Sequence, residues 1–417
     1  MQIKTLSINE KHLIVTHILF TSASAISGTF VFIFLWRIKN DLTYIAYFEL
    51  MSVLLMMFGY ILSGFLLTFV KSKVIFRISF LILILSHLLV LILKEHVIDY
   101  VLIVGILQGL GSGLYWGTYN LMQLRETEDK SREYFLGVYS GGFTFLTTLF
   151  PFFVGALITL SPRFTNLELG GYYLLYACSI TLLLILYGFI ESLPSLNLKY
   201  FKIDKIINTT NSKMFRIFSL YELFSGIYET GLKLIFLIFS YRLLSTELNM
   251  GILTSAFGAI SGFYIYLIGK YINTGRRPLW VLIGSTFIVI GRYLFITLLT
   301  IPSIIIDRIL NTLGSPLFGL PSTAIILSAI ENRTELIVER QEQYLVAREI
   351  PLGFGRFFGI MFFIIFIYIF GQNNLQMIKI WFILISSLPI IQWLILNKIH
   401  YRYVKPTIVS NTEVDSI

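Results

Sequence analysis

Long apolar runs separated by short polar segments fill most of the chain. A transmembrane helix needs about 20 mainly apolar residues to cross the hydrocarbon layer of a membrane, and runs of that length recur along the sequence. The pattern predicts twelve helices, at residues 12–36, 44–70, 74–93, 100–122, 135–160, 171–193, 214–241, 248–269, 279–301, 303–329, 351–370 and 375–397. The first run is too long and too polar at its start for a signal peptide, so we expect it to be the first spanning helix.

One polar segment divides these helices into six and six. The segment PSLNLKYFKIDKIINTTNSK (194–213) is basic and rich in Asn and Thr, which is typical of a cytoplasmic segment that lies against anionic lipid. The predicted organisation is therefore a six-helix bundle, a cytoplasmic linker, a second six-helix bundle and a cytoplasmic tail, at residues 1–193, 194–213, 214–398 and 399–417.

Composition supports an integral membrane protein and argues against other classes. Hydrophobic residues make up 56% of the 417 residues and charged residues only 13%, whereas a soluble domain carries about a quarter charged residues. Cys178 is the only cysteine, so no intramolecular disulfide can form. The histidines show no spacing that indicates a metal site, and no metal or cofactor is expected.

The net charge of +9 has a topological explanation. With the N-terminus in the cytoplasm, most Lys and Arg residues fall on the cytoplasmic side, as the positive-inside rule requires. We therefore expect both termini in the cytoplasm and no nucleic-acid partner. The use of Ile, Phe, Lys and Asn favours a bacterial inner (plasma) membrane, and a monomer is the default expectation.

Short matches relate the two halves of the chain. They occur in the fourth predicted helix of each half, at the start of the fifth and, more loosely, in the loop after the second. The matched segments are GSGLYWG (111–117) with GSPLFGL (314–320), REYFLG (132–137) with REIPLG (348–353), and Gly64, Lys71 and Lys73 with Gly269, Arg276 and Arg277. Because each half has an even number of helices, both enter the membrane the same way round, and a substrate site is expected between such parallel repeats.

This layout and one loop motif resemble the major facilitator superfamily over essentially the whole chain. The family's loop carries Gly-x-x-x-Asp-Arg/Lys-x-Gly-Arg-Arg/Lys, and its best match here is GKYINTGRR (269–277), where Asn273 replaces the acid. In the first half, GFLLTFVKSK (64–73) has Thr68 in place of the acid. The resemblance implies an all-α integral membrane fold of two parallel-related six-helix bundles around a central cavity. It also implies that the first, fourth, seventh and tenth helices line that cavity, which opens alternately to each side.

The fourth helix is a candidate for the cavity wall. Gly109, Gly113 and Gly117 recur every four residues, which lets a neighbouring helix approach closely. The candidates for substrate contact on this helix are Tyr115, Trp116, Tyr119 and Asn120. The alternative for all of them is helix packing without substrate contact.

Three ionisable residues lie within the seventh helix. Glu222, Glu229 and Lys233 are seven and four residues apart, which puts them on one helical face. Ionisable groups inside a membrane need a partner, water or a function, so we expect this face to line the substrate and proton pathway. Lys233 would hold Glu229 ionised until substrate competes. The alternative is a buried ion pair that neutralises itself, with Glu222 reaching the cytoplasmic interface.

A second charged group is predicted near the outer face. Adjacent residues on a helix point about 100° apart, so Asp307 and Arg308 cannot both face one partner well. We expect Asp307 to pair with Arg292 of the ninth helix and Arg308 to face the pathway. The alternative is a set of interfacial side chains that extend to water.

Basic residues also mark a candidate cytoplasmic gate. Arg132 and Arg348 open the matched fifth helices of the two halves, and both lie beside charged runs. Each would pair with an acidic neighbour when the cytoplasmic side is shut. Arg276 and Arg277 of the loop motif complete this gate. A solvated charged loop is the alternative.

These features favour a secondary active transporter that moves a small molecule by alternating access and is driven by protons. No nucleotide-binding loop of the Gly-x-x-x-x-Gly-Lys-Ser/Thr kind occurs, which excludes self-contained ATP drive. An aromatic cavity with carboxylates suits an amphipathic or cationic compound and leans toward export. A membrane enzyme is disfavoured because the HExxH, GxSxG and paired-Asp motifs are missing. An uncoupled sensor or lipid translocator is the remaining alternative, since the loop motif has lost its acid.

Overall fold

Helices make up the regular structure of the described residues. The computed structural model describes residues 6–126, 148–165, 167–198, 213–271, 274–331 and 338–404. The α-helices are α1 (Ile8–Lys39), α2 (Leu42–Leu66), α3 (Ser72–Leu93), α4 (Val101–Glu126), α5 (Thr148–Leu160), α6 (Gly170–Phe189), α7 (Lys213–Leu244), α8 (Glu247–Tyr271), α9 (Arg277–Leu298), α10 (Ile301–Glu331), α11 (Val338–Phe370), α12 (Leu375–Ser386) and α13 (Leu388–Ile399). A single helical turn at Pro162–Thr165 follows α5.

Most of the helical segments are apolar and long enough to cross a membrane, as the sequence predicts. Ten segments of the described residues meet this condition, and the longest, Ser72–Gln123, contains both α3 and α4, joined by a 3-10 turn at Lys94–Tyr100. The predicted fifth helix is described only from Thr148, and its first part lies outside the described residues. The predicted twelfth helix is divided into α12 and α13 at Ser387.

Local chemistry explains where α1 begins and ends. It starts before the apolar run because Ser7 caps it: the Ser7 hydroxyl accepts from the N–H of Glu10 at 3.2 Å, and the Glu10 carboxylate accepts from the N–H of Ser7 at 2.8 Å. Asn40 ends the helix in the left-handed conformation, with a φ of 53°. Asp41 then caps α2 by accepting from the N–H of Thr43 at 2.8 Å, so a two-residue turn joins the two helices.

Contacts divide the chain into two compact units. The first unit consists of Met1–Lys202, Phe236–Ala259 and Phe363–Ile367. The second unit consists of Ile203–Ile235, Ile260–Phe362 and Tyr368–Ile417. The first unit therefore includes the end of α7 and the start of α8, which come from the second half of the sequence. The domain boundaries drawn from the sequence stay a prediction.

A seam of glycines brings α4 against α2 in the first unit. A Cβ on Gly109 would meet the backbone oxygen of Ser52, and a Cβ on Gly113 would meet that of Met56. Gly117 lies against the same helix. The close helix approach predicted from the spacing of these glycines is confirmed.

The first glycine of the repeated Gly-Ser motif packs against the third helix of its own half in both halves. A Cβ on Gly111 of α4 would meet the side chain of Leu83 of α3, and a Cβ on Gly314 of α10 would lie 2.8 Å from the backbone oxygen of Gly284 of α9. The shared sequence thus serves close helix packing in both halves.

Candidate transport site

Two aromatic candidates of α4 pack inside the first unit. Tyr115 and Tyr119 are fully buried, at 0% exposure, and both contact His17 of α1. The Tyr115 hydroxyl lies 3.2 Å from Nδ1 of His17, and the rings of Tyr119 and His17 stack with centroids 4.7 Å apart. This burial favours the packing alternative for the two tyrosines.

Trp116 and Asn120 are only partly buried. The Trp116 ring meets His17 edge-on, with centroids 5.1 Å apart. The Asn120 amide donates to the hydroxyl of Tyr60 at 3.1 Å. Of the four candidates on α4, these two retain accessible surface.

The acidic candidates of α7 pair with arginines of α11. Nε of Arg348 donates to Oε1 of Glu222 at 2.8 Å, and Nε of Arg356 donates to Oε2 of Glu229 at 3.0 Å. Nη1 of Arg356 also donates to Oε1 of Glu349 at 3.0 Å. One guanidinium therefore bridges two carboxylates.

The described partner of Glu229 differs from the one that the helical spacing predicts. The spacing predicts Lys233, which is exposed on α7, whereas the described ion pair is with Arg356 of a neighbouring helix. A spacing of four residues brings two side chains close together, but an arginine on a packed neighbour offers a planar fork of donors. Tertiary packing thus supplies a partner that single-helix geometry does not reveal.

A sequence signal for this pairing does exist. Glu222 and Glu229 are seven residues apart and Arg348 and Arg356 are eight apart, which is about two helical turns in each case. Two adjacent helices that run in the same direction can therefore align both pairs. The signal becomes visible only when α7 and α11 are known to be neighbours.

The two ion pairs differ in access. The side chain of Glu222 is 2% exposed, whereas that of Glu229 is 52% exposed. A carboxylate within a membrane span is costly in lipid, so the exposed side of Glu229 is expected to face water or protein. Glu229 is the accessible acid of this group.

Close packing fixes α11 beside α7. A Cβ on Gly226 would meet the backbone of Leu352, and a Cβ on Gly355 would meet that of Leu223. The Thr230 hydroxyl donates to the backbone oxygen of Arg356 itself at 2.9 Å. The backbone that carries the bridging guanidinium is therefore held directly against α7.

A second polar group joins α7, α9 and α10. Nη1 of Arg292 donates to Oδ2 of Asp307 at 2.9 Å, and the Asn311 amide donates to Oδ1 at 2.8 Å. The phenol of Tyr228 lies against the Arg292 guanidinium. The predicted pair of Asp307 with Arg292 is thus present, and Asp307 is 0% exposed. Arg308 interacts electrostatically with both charges, and its place on a pathway stays a prediction.

The candidate gate residues lie in different settings. Arg348 pairs with Glu222 of α7, and Nη1 of Arg277 donates to the Ser328 hydroxyl at 2.9 Å. Arg276 is exposed just before α9. Outside the described residues lie Arg132 and Asn273.

The start of α3, which follows the degenerate loop motif, binds an acidic partner. Nζ of Lys73 donates to the backbone oxygen of Glu191 at 2.8 Å and lies 3.4 Å from its Oε2. Arg77 forms an ion pair with the same carboxylate. Basic residues near the degenerate motif therefore bind the chain just after α6, a contact that the sequence did not suggest.

A buried acid that sequence reasoning did not single out begins α8. Glu247 is 5% exposed and accepts from Arg37 of α1 and Tyr172 of α6. An acidic residue in the first turn of a helix is common, so its position gave no reason to expect a tertiary role.

The described residues do not meet the requirements of a metal site. Within the described ranges, no group of three or more His, Cys, Asp or Glu side chains could hold a metal ion.

Sequence comparison finds distant relatives. No protein-family model matches the sequence. The chain is 22% identical over 359 residues to YqgE of Bacillus subtilis (strain 168), which is described as uncharacterized; the match covers 85% of this chain and 82% of that protein. It is 29% identical over 115 residues to a Geobacillus stearothermophilus protein described by its position in the sodM 3′ region, covering 28% of this chain and 54% of that protein.

Structure comparison decides the fold. A bacterial homologue of the iron transporter ferroportin, in an inward-facing state, matches with a TM-score of 0.71 at 12% identity, over 95% of this chain and 100% of that one. A D-xylose–proton symporter matches at 0.68 and 13% identity, over 92% and 96%. The nucleoside transporter NupG matches at 0.67 and 13% identity, over 95% and 100%. The chain has the major facilitator fold.

The major facilitator fold confirms the fold class predicted from the sequence, an all-α membrane architecture of two parallel-related six-helix bundles. The arginine-bridged acids of α7 and α11 thus lie on two helices of the second half of a chain with the major facilitator fold.

Proposed function

We propose that this protein is a secondary active membrane transporter that moves a small molecule by alternating access and is driven by protons. The major facilitator fold supports this function, as do the transporters of similar structure, among them a symporter of D-xylose and protons. The observation that carries the proposal is the ion pair of Glu229 with Arg356 inside two apolar helices, because charges at such positions indicate a functional pathway.

Glu229 is the proposed proton acceptor. Its side chain is accessible, while Glu349 holds the same guanidinium with a side chain that is only 12% exposed. Protonation of Glu229 removes its negative charge and leaves Arg356 bound to Glu349 alone. Gain or loss of this proton therefore changes the ion pairing between α7 and α11.

A cationic or amphipathic compound is the proposed substrate, and export is the proposed direction. The positive group of such a compound would compete with Arg356 and with a proton for the Glu229 carboxylate. Since a proton and a cation neutralise the same charge, one leaves as the other binds. This competition supports exchange of substrate for protons across the membrane.

The proposed setting is a bacterial inner membrane, with the lipid bilayer as partner, both termini in the cytoplasm and the protein as a monomer. The distribution of Lys and Arg along the chain supports this orientation. An uncoupled sensor or lipid translocator on the same fold is the alternative, favoured by Thr68 and Asn273 at the acidic positions of the loop motif.

Proton movement in everted membrane vesicles tests the proposal. Vesicles that contain the wild type, Glu229→Gln or Glu95→Gln are energised to build a pH gradient and then challenged with a panel of cationic and amphipathic compounds. Glu95 is an exposed acid in the turn between α3 and α4 and serves as the matched control. We expect a compound to dissipate the gradient with the wild type and Glu95→Gln, and not with Glu229→Gln.

Other results would change the assignment. Equal responses in all three proteins would keep transport and remove Glu229 from coupling. Compound movement without proton movement would favour the uncoupled alternative. No response to any compound, together with no ligand-induced rise in the melting temperature of the purified protein, would contradict transport of this substrate class.

A further inference from the structure

Three donors converge on one oxygen of Glu247. The Tyr172 hydroxyl donates to Oε1 at 2.7 Å, the Tyr241 hydroxyl at 3.3 Å, and Nη1 of Arg37 at 3.2 Å. The Glu247 side chain is 6% exposed. Hydrogen bonds to an ionised carboxylate are stronger than those between neutral groups, so the charge of Glu247 organises this cluster.

The donors come from helix ends that are far apart in the sequence. Arg37 lies in the last turn of α1, Tyr172 in the first turn of α6 and Tyr241 in the last turn of α7. Nη2 of Arg37 also donates to Glu168 at 2.7 Å, and the Glu168 side chain is 82% exposed. We call these residues, with Glu247, the Glu247 cluster. Within the first unit, the cluster ties together helix ends from both halves of the sequence.

A tightly packed seam runs from the cluster between α5 and α8. A Cβ on Gly155 would meet the backbone oxygen of Glu247, and a Cβ on Gly251 would meet that of Pro151. The two backbones therefore approach each other as closely as glycine allows.

Hydroxyl groups of each helix bind the backbone of the other along this seam. The Thr159 hydroxyl accepts from the N–H of Leu248 at 3.2 Å. The Ser255 hydroxyl accepts from the N–H of Phe152 at 3.1 Å. Thr159 and Phe152 are seven residues apart, as are Leu248 and Ser255, so the contact repeats after two turns of both helices.

We propose that Glu247 is the positioning residue of an outer latch, which holds the outer ends of α1, α6, α7 and α8 together and releases them when the transporter opens outward. This inference rests on the proposed alternating access and on the predicted orientation in the membrane. Glu247 supplies the charge that the other members of the cluster bind, and the seam between α5 and α8 closes behind it.

The chemistry of the latch suits repeated opening. A partly buried ion pair gains little net free energy over its separated, hydrated partners, because desolvation offsets much of the attraction. Arg37 already reaches the exposed Glu168, so it has a partner at the surface when Glu247 leaves. Removal of the Glu247 charge should therefore favour the open state without loss of the fold.

The accessibility of a thiol in the seam measures opening. Cys178, which is exposed, is first replaced by Ser, and Ser255→Cys then places a thiol beside α5. A membrane-impermeant maleimide is applied to right-side-out vesicles without substrate. We expect Glu247→Gln to raise the labelling rate at least about fivefold, the lower end of the usual range for energetic coupling between two sites of one protein.

Conservative variants separate the latch from a merely structural role. Glu247→Asp keeps the charge and should label at a rate nearer that of the wild type. Glu168→Gln should change the rate less than Glu247→Gln, because an exposed ion pair contributes little. Tyr172→Phe removes one donor and keeps the ring, so it should give an intermediate rate. Tyr172→Phe also serves as the test variant if Glu247→Gln does not fold.

Unfolding is monitored with a thiol in the core of the first unit. Ser86 is 0% exposed, and Ser86→Cys in the same background should stay unlabelled in every variant. Equal acceleration at the Ser86 and Ser255 positions would overturn the latch, since it would indicate general loosening. An unchanged rate at position 255 in folded Glu247→Gln and Tyr172→Phe would also overturn it.

The same assay distinguishes failure of the latch from failure of the proposed function. A labelling rate that responds to Glu247→Gln and to a compound of the panel supports both. A rate that responds to Glu247→Gln and to no compound supports the latch and counts against the proposed substrate class. A rate that responds to a compound and not to Glu247→Gln supports transport and rejects the latch.

Discussion

Nε of Arg356 lies 3.0 Å from Oε2 of Glu229, across the contact between α7 and α11. The same guanidinium reaches Glu349 through Nη1. Arginine can do this because its planar side chain presents several N–H donors in fixed directions. The two carboxylates are thereby linked through one cation, so a change in the charge of Glu229 alters the ion pair of Arg356 with Glu349.

Arg356→Lys should impair coupling although it keeps the positive charge. A lysine is a compact charge that cannot reproduce the two-sided bridge, and a hydrogen bond between charged groups contributes roughly 1.5–3 kcal/mol. We expect compound-triggered proton movement to fall by about tenfold or more, on the same basis. Arg216→Lys, at an exposed position in the first turn of α7, is the control and should transport normally. Wild-type rates with Arg356→Lys would show that the bridge is not needed.

The packing of α7 against α11 can be tested separately by thermal unfolding in detergent. A Cβ on Gly355 would overlap the backbone of Leu223, and such overpacking typically costs about 1–3 kcal/mol. Gly355→Ala should therefore lower the melting temperature. A Cβ on Gly319 of α10 meets nothing within 4 Å, so Gly319→Ala should be neutral or stabilising by about 0.4–1 kcal/mol. Equal melting temperatures for Gly355→Ala and Gly319→Ala would argue against tight packing of α7 against α11.

Helix positions could be predicted from the sequence because they depend on local features. The apolar run of α1 is visible in the sequence, and its true start at Ile8 follows from the capping box of Ser7 and Glu10. The spacing of the glycines of α4 likewise indicates a closely packed neighbouring helix. These signals need no knowledge of which helix lies beside which.

The partners of the charged residues were harder to predict because they depend on tertiary packing. The Arg292–Asp307 pair could be predicted because the two residues are close in sequence. Glu229 and Arg356 are 127 positions apart, and the Glu247 cluster draws on four separate helices. Tyr115 and Tyr119 are buried through contacts with α1 that the sequence of α4 alone does not reveal, and their contact with substrate stays a prediction.

The buried pair of Arg292 with Asp307 should behave as a coupled unit. Breaking a buried ion pair from one side typically costs about 3–5 kcal/mol, so Asp307→Asn should lower the melting temperature markedly. The double variant Arg292→Gln/Asp307→Asn should recover part of the loss, because the two changes remove both charges. Losses that simply add in the double variant would show that the pair is not coupled.

The chain after α6 is held by the loop between α2 and α3. The N–H of Ser72 donates to the backbone oxygen of Leu196 at 2.9 Å, and the Ser72 hydroxyl accepts from the N–H of Leu196 at 2.9 Å. The N–H of Leu198 donates to the backbone oxygen of Leu67, also at 2.9 Å. The side chains of Leu196 and Leu198 are 9% and 2% exposed, so apolar burial adds to these hydrogen bonds.

Ser72→Ala should loosen this attachment without unfolding the bundle. The variant leaves the N–H of Leu196 without its acceptor, and a buried unsatisfied donor costs about 1–3 kcal/mol. Hydrogen exchange should therefore accelerate at residues 195–198 and stay unchanged in α3 and α4. Thr68→Ala is the control, because the Thr68 hydroxyl bonds only within its own turn, to the backbone oxygen of Phe65 at 2.8 Å.

The comparison of these two variants also tests what the degenerate loop still does. Thr68 stands where the family's loop motif has its acid, whereas Ser72 lies eight residues after Gly64 and binds the chain that leaves α6. Faster exchange in Ser72→Ala alone would mean that the loop holds its neighbour through Ser72 although the acid is gone. Faster exchange in both would assign the attachment to the conformation of the whole loop. Wild-type exchange in both variants would mean that burial of Leu196 and Leu198 is sufficient to hold this segment.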